Sequence, residues 1–170
     1  MGMNLVGKTL GQYRLDEIIG EGGMATVYKA YQTSLNRPVA VKVLYYNEEN
    51  SLARFEREAR AVASLRHRNI LIVYEYGEAD GLPFIAMEYV AGGTLEDRLN
   101  GQPMAWRQVV ELAVPIAEAL HYAHSQGIIH RDIKPSNILM PQEDWPVLAD
   151  FGLVKHAEEQ VGLTQTGTFM

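Results

Sequence analysis

The stretch that decides the fold is a polar octapeptide set between two apolar runs, His130-Arg131-Asp132-Ile133-Lys134-Pro135-Ser136-Asn137. Within it lie a carboxylate, an ammonium group and a side-chain amide, which together could accept a proton, neutralise a phosphate and bind a hard cation. Catalytic groups usually sit on loops between rigid elements. Composition alone leaves a solvated turn, stiffened by Pro135, as the alternative interpretation.

Composition excludes several classes of protein. The chain has 170 residues, 47% of them hydrophobic, which is enough for one sizeable core or two small lobes. It has no cysteine, so neither a disulfide framework nor a thiolate metal site is possible, and this suits a reducing cytoplasm. Its formal net charge is −6 without a basic cluster, so nucleic acid is not an expected partner. No apolar run is long enough to form a membrane segment, and we expect a cytoplasmic protein.

A glycine-rich segment follows the first predicted strand, Tyr13–Ile19. It reads Gly20-Glu21-Gly22-Gly23-Met24-Ala25-Thr26-Val27, and the β-branched and aromatic residues after it predict a strand–loop–strand arrangement. A dinucleotide-binding loop would open a helix instead. Because glycine has no Cβ, the backbone N–H groups can approach a phosphate closely. The segment by itself agrees both with a loop that contacts phosphate and with a plain hairpin.

The predicted strand Val39–Leu44 carries a lysine, Lys42, between apolar neighbours on one face. An edge lysine that extends to water is the alternative to a functional one. The apolar spacing in residues 51–66 predicts an amphipathic helix, and Glu58 lies beside its apolar stripe. A carboxylate there is costly unless it is paired. We expect Glu58 to pair with Lys42, the alternative being a glutamate in water.

Elements that join these motifs can also be predicted. Residues 72–76 and 84–87 are expected to form two strands joined by a turn at Asp80-Gly81, and Thr94 is expected to cap a helix over 95–100. A long helix is predicted for 106–126, with Pro115 inside it and Gly127 after it. Residues 138–140 and 147–149 predict a hairpin.

The hairpin should return the chain so that Asp150 comes close to Asn137. Asp150 and Asn137 carry a carboxylate and an amide oxygen, both of which are hard ligands. His121 and His124 are three residues apart on the long helix, but no carboxylate or cysteine nearby completes a set, so we predict no metal site there.

The octapeptide reads His-Arg-Asp-x-Lys-Pro-x-Asn and resembles the catalytic loop of protein kinases. The glycine-rich segment, Val-Ala-Val-Lys at 39–42 and Asp-Phe-Gly at 150–152 follow the kinase order. From about Tyr13 to Met170 the chain is similar to bacterial eukaryotic-like serine/threonine protein kinases. Ala25 departs from the family, which has a third glycine there. The resemblance implies a two-lobed α+β fold with a five-stranded antiparallel N-lobe sheet, one N-lobe helix and an incomplete helical C-lobe.

The resemblance also implies a reaction, the transfer of the γ-phosphoryl group of MgATP to Ser or Thr of proteins. Asp132 would orient the hydroxyl and accept its proton, and Lys134 would neutralise charge on the γ-phosphate. Lys42 and Glu58 would position ATP, and Asn137 and Asp150 would hold Mg²⁺. The residues expected to contact the nucleotide are Ile19, Gly20, Gly22, Gly23, Val27, Ala40, Lys42, Met87, Glu88, Val90 and Leu139.

The same resemblance divides the chain into an N-terminal extension (1–12), an N-lobe (13–88) and a hinge with part of the C-lobe (89–170). Thr164 and Thr166 would be phosphorylated in the activation segment. In the family, further helices would follow Met170 and cover one side of the 106–126 helix, which is apolar nearly all round. We therefore expect this chain to self-associate and to transfer little phosphate to peptides.

Two other functions remain open at the level of sequence. A small-molecule phosphotransferase of the aminoglycoside-kinase type has the same fold, but usually lacks the Lys-Pro pair of the octapeptide and the threonine-rich segment. A nucleotide-binding scaffold without catalysis is the second alternative. All the catalytic residue types are present, which disfavours the scaffold.

Overall fold

The structure is a computed structural model that describes residues 4–23, 25–45, 56 and 59–151. Glu58, Thr164 and Thr166 lie outside the described residues, as do the other residues of 51–55 and 57–58 in the predicted 51–66 helix. Of that helix, residues 56 and 59–63 are described and are helical.

The N-terminal half forms an antiparallel sheet in the order β1-β2-β3-β4-β6-β5. Its strands are β1 (Thr9–Leu10), β2 (Tyr13–Glu21), β3 (Ala25–Gln32), β4 (Arg37–Leu44), β5 (Val73–Ala79) and β6 (Leu82–Glu88). The predicted five-stranded sheet is thus confirmed, and the two-residue strand β1 extends it. β1 pairs with the start of β2 through Thr9 with Arg14 and Leu10 with Tyr13.

The two faces of β4 have different partners, as the alternation predicts. Val39, Val41 and Val43 are buried in one apolar cluster, whereas Leu44 belongs to the other. Leu5 and Leu10 lie in the first cluster, so the segment before β2 packs on the sheet. The sheet therefore has an apolar face on each side, and the face opposite the valines is turned toward the rest of the chain.

The turn between β5 and β6 lets both strands extend beyond their predicted limits. Asp80 and Gly81 have φ values of 54° and 72°, as the central residues of a type I′ turn require. The ladder continues to the residues that flank this turn, Ala79 and Leu82. A tight turn of this type matches the strand twist, so no residues are left unpaired beside it.

Two helices follow the sheet, α1 (Leu95–Leu99) and α2 (Trp106–Ser125). Thr94 is the N-cap of α1, as predicted: its Oγ1 accepts a hydrogen bond from the Asp97 N–H (3.1 Å), while the Asp97 carboxylate accepts one from the Thr94 N–H (2.8 Å). This reciprocal capping box satisfies two backbone donors at the helix start.

A second hairpin, β7 (Ile138–Gln142) with β8 (Trp145–Leu148), packs between α2 and the sheet. The buried Asn69 anchors it, because its carbonyl accepts from the Leu148 N–H (2.8 Å) and its side-chain amide donates to the Pro146 carbonyl (2.7 Å). The Leu71 N–H donates to the Leu148 carbonyl (2.9 Å). These bonds fix the hairpin to the segment that leads into β5.

One face of α2 is covered and another is not. Leu112, Ile116, Ala119 and Ala123 are buried. The large apolar residues at the other face remain exposed: Trp106, Val109, Val110 and Val114 have exposed fractions of 71%, 47%, 50% and 51%. Contiguous exposed apolar surface of this kind commonly marks an association site.

We expect this face to drive self-association of the chain in a concentration-dependent manner. Val110→Glu together with Val114→Lys should shift the protein toward the monomer, because a charged residue in an apolar contact must be desolvated. Size-exclusion chromatography with light scattering over a range of concentrations measures this. Glu118→Lys, a charge change at an exposed polar position of the same helix, is the control. A wild-type monomer at every concentration would contradict the prediction.

Candidate active site

A cavity of about 220 Å³ lies between the sheet and the second hairpin. Its lining includes apolar side chains from the sheet (Ile19, Val27 and Ala40) and, from β7, Leu139. Met87, Glu88, Tyr89 and Val90 line it where the chain leaves β6. A flat apolar ring would fit between such walls, and polar groups lie at one end, where Lys42, Asn137 and Asp150 line the same cavity.

The polar end of the cavity contains a lysine–aspartate ion pair. The Lys42 ammonium group, on β4, contacts the Asp150 carboxylate, which follows β8. The lysine side chain is only 10% exposed, whereas that of Asp150 is 47% exposed. A buried ammonium group needs such a counter-charge. The pair places one cation and one hard oxygen ligand together at the site where phosphates would enter.

The octapeptide forms a compact polar network beside this cavity. The Asn137 side-chain amide donates to the Asp132 carbonyl (2.8 Å) and to its Oδ2 (3.2 Å). Lys134 Nζ lies 3.2 Å from the same Oδ2. The Asp132 carboxylate is therefore held by an amide and an ammonium group, with its other oxygen, Oδ1, outside these two contacts.

His130 joins the octapeptide to the segment that carries Asp150. Its ring is buried, and its Nδ1 accepts a hydrogen bond from the Asp132 N–H (3.3 Å). The ring proton of the neutral form is therefore on Nε2, and this N–H donates to the Ala149 carbonyl (2.9 Å). The ring also lies against Phe151, with centroids 4.6 Å apart. His130 is therefore a positioning residue.

Burial lowers the pKa of His130, although the Ala149 carbonyl, Asp150 and Asp132 act in the opposite direction. A lowered pKa in the folded state means that the unfolded chain binds the proton more readily. The folded state is therefore stabilised while His130 stays neutral. This stabilisation is complete above the unfolded pKa of about 6.5 and is lost as the pH falls from there through the folded pKa.

We therefore expect the free energy of unfolding to fall as the pH drops below about 6.5, with a slope of at most about 1.4 kcal/mol per pH unit from this group. His130→Phe should remove that part of the slope, because phenylalanine does not titrate. Urea titrations at several pH values measure it. His124→Phe, at an exposed position near the end of α2, is the control. An identical slope in the His130 variant would contradict the assignment.

Two residues of the site have an unusual backbone conformation. Arg131 and Asp150 have φ values of 66° and 61°, in the left-handed region. For residues other than glycine this conformation costs free energy and persists only where the surroundings enforce it. Both residues adjoin the His130–Ala149 hydrogen bond, which is one contact that holds them in place.

The structure brings most of the predicted site residues together. The hydrogen bond from the Ala149 N–H to the Asn137 carbonyl (2.9 Å) accounts for the predicted approach of Asn137 and Asp150. Gly20 lines the cavity, but Gly22 and Gly23 lie at the exposed tip of the β2–β3 hairpin and do not line it. The Glu88 N–H donates to the Ile72 carbonyl (2.9 Å), so this group is already used within the protein. The predicted pair of Lys42 with Glu58 lies outside the described residues.

Five lining residues are not among the predicted site residues, namely Leu71, Tyr89, Thr94, Ser136 and Ala149. Sequence signals point to four of them. Thr94 is predicted as a helix cap, Tyr89 lies within the predicted hinge, Ser136 lies within the octapeptide, and Ala149 immediately precedes the predicted metal ligand. Leu71 carries no signal of this kind.

The donor atoms at the polar end fit a magnesium ion. Asn137 and Asp150 supply an amide oxygen and a carboxylate, the hard ligands that Mg²⁺ prefers, and the cavity has room for phosphate oxygens beside them. Among the described residues no group of three His, Asp or Glu side chains could hold a metal alone. A magnesium ion here would therefore arrive with the phosphates of its substrate, as is usual for this ion.

Comparison with known proteins agrees with this geometry. The protein kinase domain family matches residues 13–170, so the chain belongs to that family. The serine/threonine-protein kinase PknJ of Mycobacterium tuberculosis is 41% identical over 171 residues, which cover 96% of this chain and 29% of PknJ. The chain spans only about a quarter to a third of the length of its curated relatives (23% and 32% in two cases).

Solved structures show the same fold. The kinase domain of Mycobacterium tuberculosis PknI has a TM-score of 0.74 and 33% identity, and the match covers 87% of this chain and 62% of that one. Rad53 residues 1–466 in complex with AMP-PNP gives a TM-score of 0.75 and 32% identity, with 84% and 38% covered. The two-lobed kinase-like fold predicted from the sequence is thus confirmed. Among the described residues no helix is long and apolar enough to cross a membrane.

Proposed function

We propose that this chain is the nucleotide-binding and catalytic part of a serine/threonine protein kinase that transfers the γ-phosphoryl group of ATP to protein hydroxyls in signalling. One observation carries the proposal: Lys42, Asn137 and Asp150 line a single cavity whose other walls are apolar, and Asn137 also bonds the carboxylate of Asp132. A nucleotide in that cavity would place its phosphates beside the octapeptide.

In the proposed reaction the substrate hydroxyl oxygen forms a bond to the γ-phosphorus, and the bond to the bridging oxygen breaks. Asp132 orients the hydroxyl and accepts its proton. Lys134, which lies 3.2 Å from Asp132, reaches the γ-phosphate, and Lys42 holds the α- and β-phosphates, with Glu58 as its proposed second partner. A magnesium ion held by Asn137 and Asp150 would neutralise the phosphate charges.

The proposed nucleotide contacts extend to both ends of the cavity. Ile19, Gly20, Val27 and Ala40 cover the nucleotide from the sheet, with Gly22 and Gly23 able to close over the phosphates from the hairpin tip. Leu139 supports the adenine from below. Backbone groups of Glu88 and Val90 bind its edge, and Met87 closes the back of the pocket.

We also propose that the first lobe ends at residue 88 and that the hinge and the second lobe begin at residue 89.

Two measurements on the same protein test the function. MgATP should bind, as measured by isothermal titration calorimetry, and radiolabelled phosphate should appear on a generic basic protein. Lys42→Met should weaken phosphate positioning and lower transfer. Transfer to a small aminoglycoside but not to protein would indicate a small-molecule phosphotransferase. Binding of MgATP without transfer in any longer chain that includes this domain would indicate a scaffold.

Because ATP is the substrate and the sequence has no cysteine, we also propose a cytoplasmic location.

We further propose that Thr164 and Thr166 are autophosphorylated, which would bring negative charge to the exposed guanidinium group of Arg131. Mass spectrometry after incubation with MgATP should find phosphate on the peptide that contains both threonines. The same peptide from an Asp132→Asn protein should remain unmodified. An unphosphorylated peptide from protein that phosphorylates other substrates would contradict this proposal.

A further inference from the structure

A lysine on the cavity side of the sheet has no part in the proposed reaction. Lys29 lies on β3, two residues after Val27, so both side chains stand on the same face of the strand. The strand register sets Lys29 opposite Ala40 of β4, and Ala40 opposite Met87 of β6. Val27, Ala40 and Met87 all line the cavity proposed for the nucleotide, which we call the nucleotide cavity. Because directly opposed residues share a face, Lys29 belongs to the same cross-strand row as the cavity wall.

The ammonium group of Lys29 contacts an aromatic ring that follows the sheet. Its Nζ lies 5.2 Å from the centroid of the Tyr89 ring, within the range of a cation–π contact. Glu17 is the opposite residue on β2, yet within the part of the chain that the structure describes no carboxylate lies within salt-bridge distance of this ammonium group. Both partners of the cation–π contact are half-buried, which strengthens it relative to a fully exposed pair.

Tyr89 belongs to the linker that follows β6, and it lines the nucleotide cavity. The linker is anchored on both sides of Tyr89 by backbone hydrogen bonds. The Glu88 N–H donates to the Ile72 carbonyl (2.9 Å), and the Gly93 carbonyl accepts from the Met140 N–H (3.0 Å). Both bonds lead to segments outside β3. The cation–π contact therefore adds a link between β3 and the middle of the linker.

We propose that Lys29 is a positioning residue that holds the linker through Tyr89 and thereby sets the affinity of the cavity for the nucleoside part of ATP. The inference rests on the proposed function, because it takes this cavity to be the nucleotide site. Lys29 acts from the linker end of the cavity, whereas Lys42, Asn137 and Asp150 line the polar end. The contact therefore affects the binding of base and ribose and takes no part in phosphate transfer.

Isothermal titration calorimetry with MgATP tests the contact from both sides. Lys29→Met keeps most of the apolar stem and loses the charge, and Tyr89→Leu loses the aromatic face, so each should raise the Kd about fivefold. Lys29→Arg and Tyr89→Phe keep a cation and a ring, and both should bind MgATP as the wild type does. Circular dichroism melts establish that each variant is folded. Lys29→Gln and Tyr89→Met remove the same charge and ring, and they replace a variant that does not fold.

The double variant Lys29→Met/Tyr89→Leu separates a shared contact from two independent effects. If the two residues act through one contact, the double variant should lose no more affinity than either single variant, about fivefold. A loss of about twenty-fivefold, the product of two independent losses, would overturn the proposed coupling.

Adenosine, which carries no phosphate, shows at which end of the cavity the lysine acts. Its affinity, measured by competition with a fluorescent ATP analogue, should fall by the same factor as that of MgATP in Lys29→Met. A loss confined to MgATP would show that Lys29 attracts the phosphate charges, and this would overturn the proposal. Lys8→Met is the matched control, since it removes the same charge at an exposed position before β1 and should leave both affinities unchanged.

Steady-state kinetics in a chain that carries this domain and transfers phosphate provide the last test. Lys29→Met should raise the KM for ATP about fivefold and leave kcat unchanged, because the contact is the same in the ground state and the transition state. A lower kcat at unchanged KM would overturn the positioning role. A wild-type chain that does not bind MgATP would overturn the proposed function and this inference together. Wild-type binding that Lys29→Met and Tyr89→Leu leave unaltered would overturn this inference alone.

Discussion

Replacing Asp132 by asparagine is expected to lower the rate of phosphate transfer about a hundredfold to ten-thousandfold while leaving ATP affinity nearly unchanged. The asparagine keeps the shape of the side chain and can still accept hydrogen bonds from Lys134 and Asn137, which lie 3.2 Å from Oδ2 in the wild type. It cannot accept the proton of a hydroxyl. Asp132 does not line the nucleotide cavity, so ATP should still bind.

The measurement is a single-turnover rate at saturating MgATP, made in a chain that carries this domain and transfers phosphate, together with an ATP titration by calorimetry. Asp80→Asn provides the control, because it makes the same chemical change at an exposed turn with a positive φ, which asparagine also tolerates. A parallel loss of ATP affinity in the Asp132 variant would show that the residue acts on nucleotide binding instead.

Motifs in the sequence identify the chemical groups of this site but not all of their contacts. The sequence predicts that Glu58 pairs with Lys42, because a carboxylate beside an apolar helix stripe is costly unless it is paired. Glu58 lies outside the described residues, so that pair stays a prediction. In the structure Lys42 contacts Asp150, which lies 108 residues away and belongs to the second hairpin. Such a contact depends on how the hairpin docks on the sheet, and no local pattern reports that.

The cavity-lining residues that the sequence does not reveal are also placed by tertiary contacts. Leu71 is an ordinary apolar residue before β5, and it reaches the cavity because its N–H is bonded to the Leu148 carbonyl (2.9 Å). Asn69, which holds the hairpin through the Pro146 carbonyl, carries no motif of its own. These residues act through backbone position, which a list of chemically reactive side chains cannot reveal.

Short elements were also beyond prediction. Strand β1 has only two residues, too few for an alternating pattern, although its Leu10 is buried beside Tyr13 in the sheet core. The long helix, the capped short helix and the two hairpins were predicted because each has a full repeat or a specific cap or turn signal. Sequence patterns therefore predict an element well where several of its residues follow the same periodicity. They predict it much less well where a single tertiary contact determines the structure.

Replacement of Gly92 is expected to have the second large effect, although this glycine has no chemical role. It follows the segment Glu88–Val90 that lines the nucleotide cavity, and its backbone passes directly over β7. A Cβ at this position would lie 1.8 Å from the Met140 carbonyl oxygen and 2.8 Å from its carbon. Both atoms belong to the backbone of Met140, whose N–H donates to the Gly93 carbonyl (3.0 Å) and whose carbonyl oxygen accepts from Arg98 (3.2 Å). Moving the linker away from the strand would strain these hydrogen bonds.

Gly92→Ala is therefore expected to lower the free energy of unfolding by about 3 kcal/mol, the upper range for overpacking. For a chain of this size, that corresponds to a fall in Tm of roughly 6–12 °C. ATP binding should weaken as well, because the displaced linker carries Val90 and Thr94, which line the cavity on either side of Gly92. Thermal melts and an ATP titration measure both effects.

Gly23→Ala is the matched control for stability, since a Cβ there would meet no atom within 4 Å. Equal melting temperatures for the two alanine variants would show that the chain can relax at Gly92 without loss, and that the close approach of the linker to β7 does not set the geometry of the nucleotide cavity.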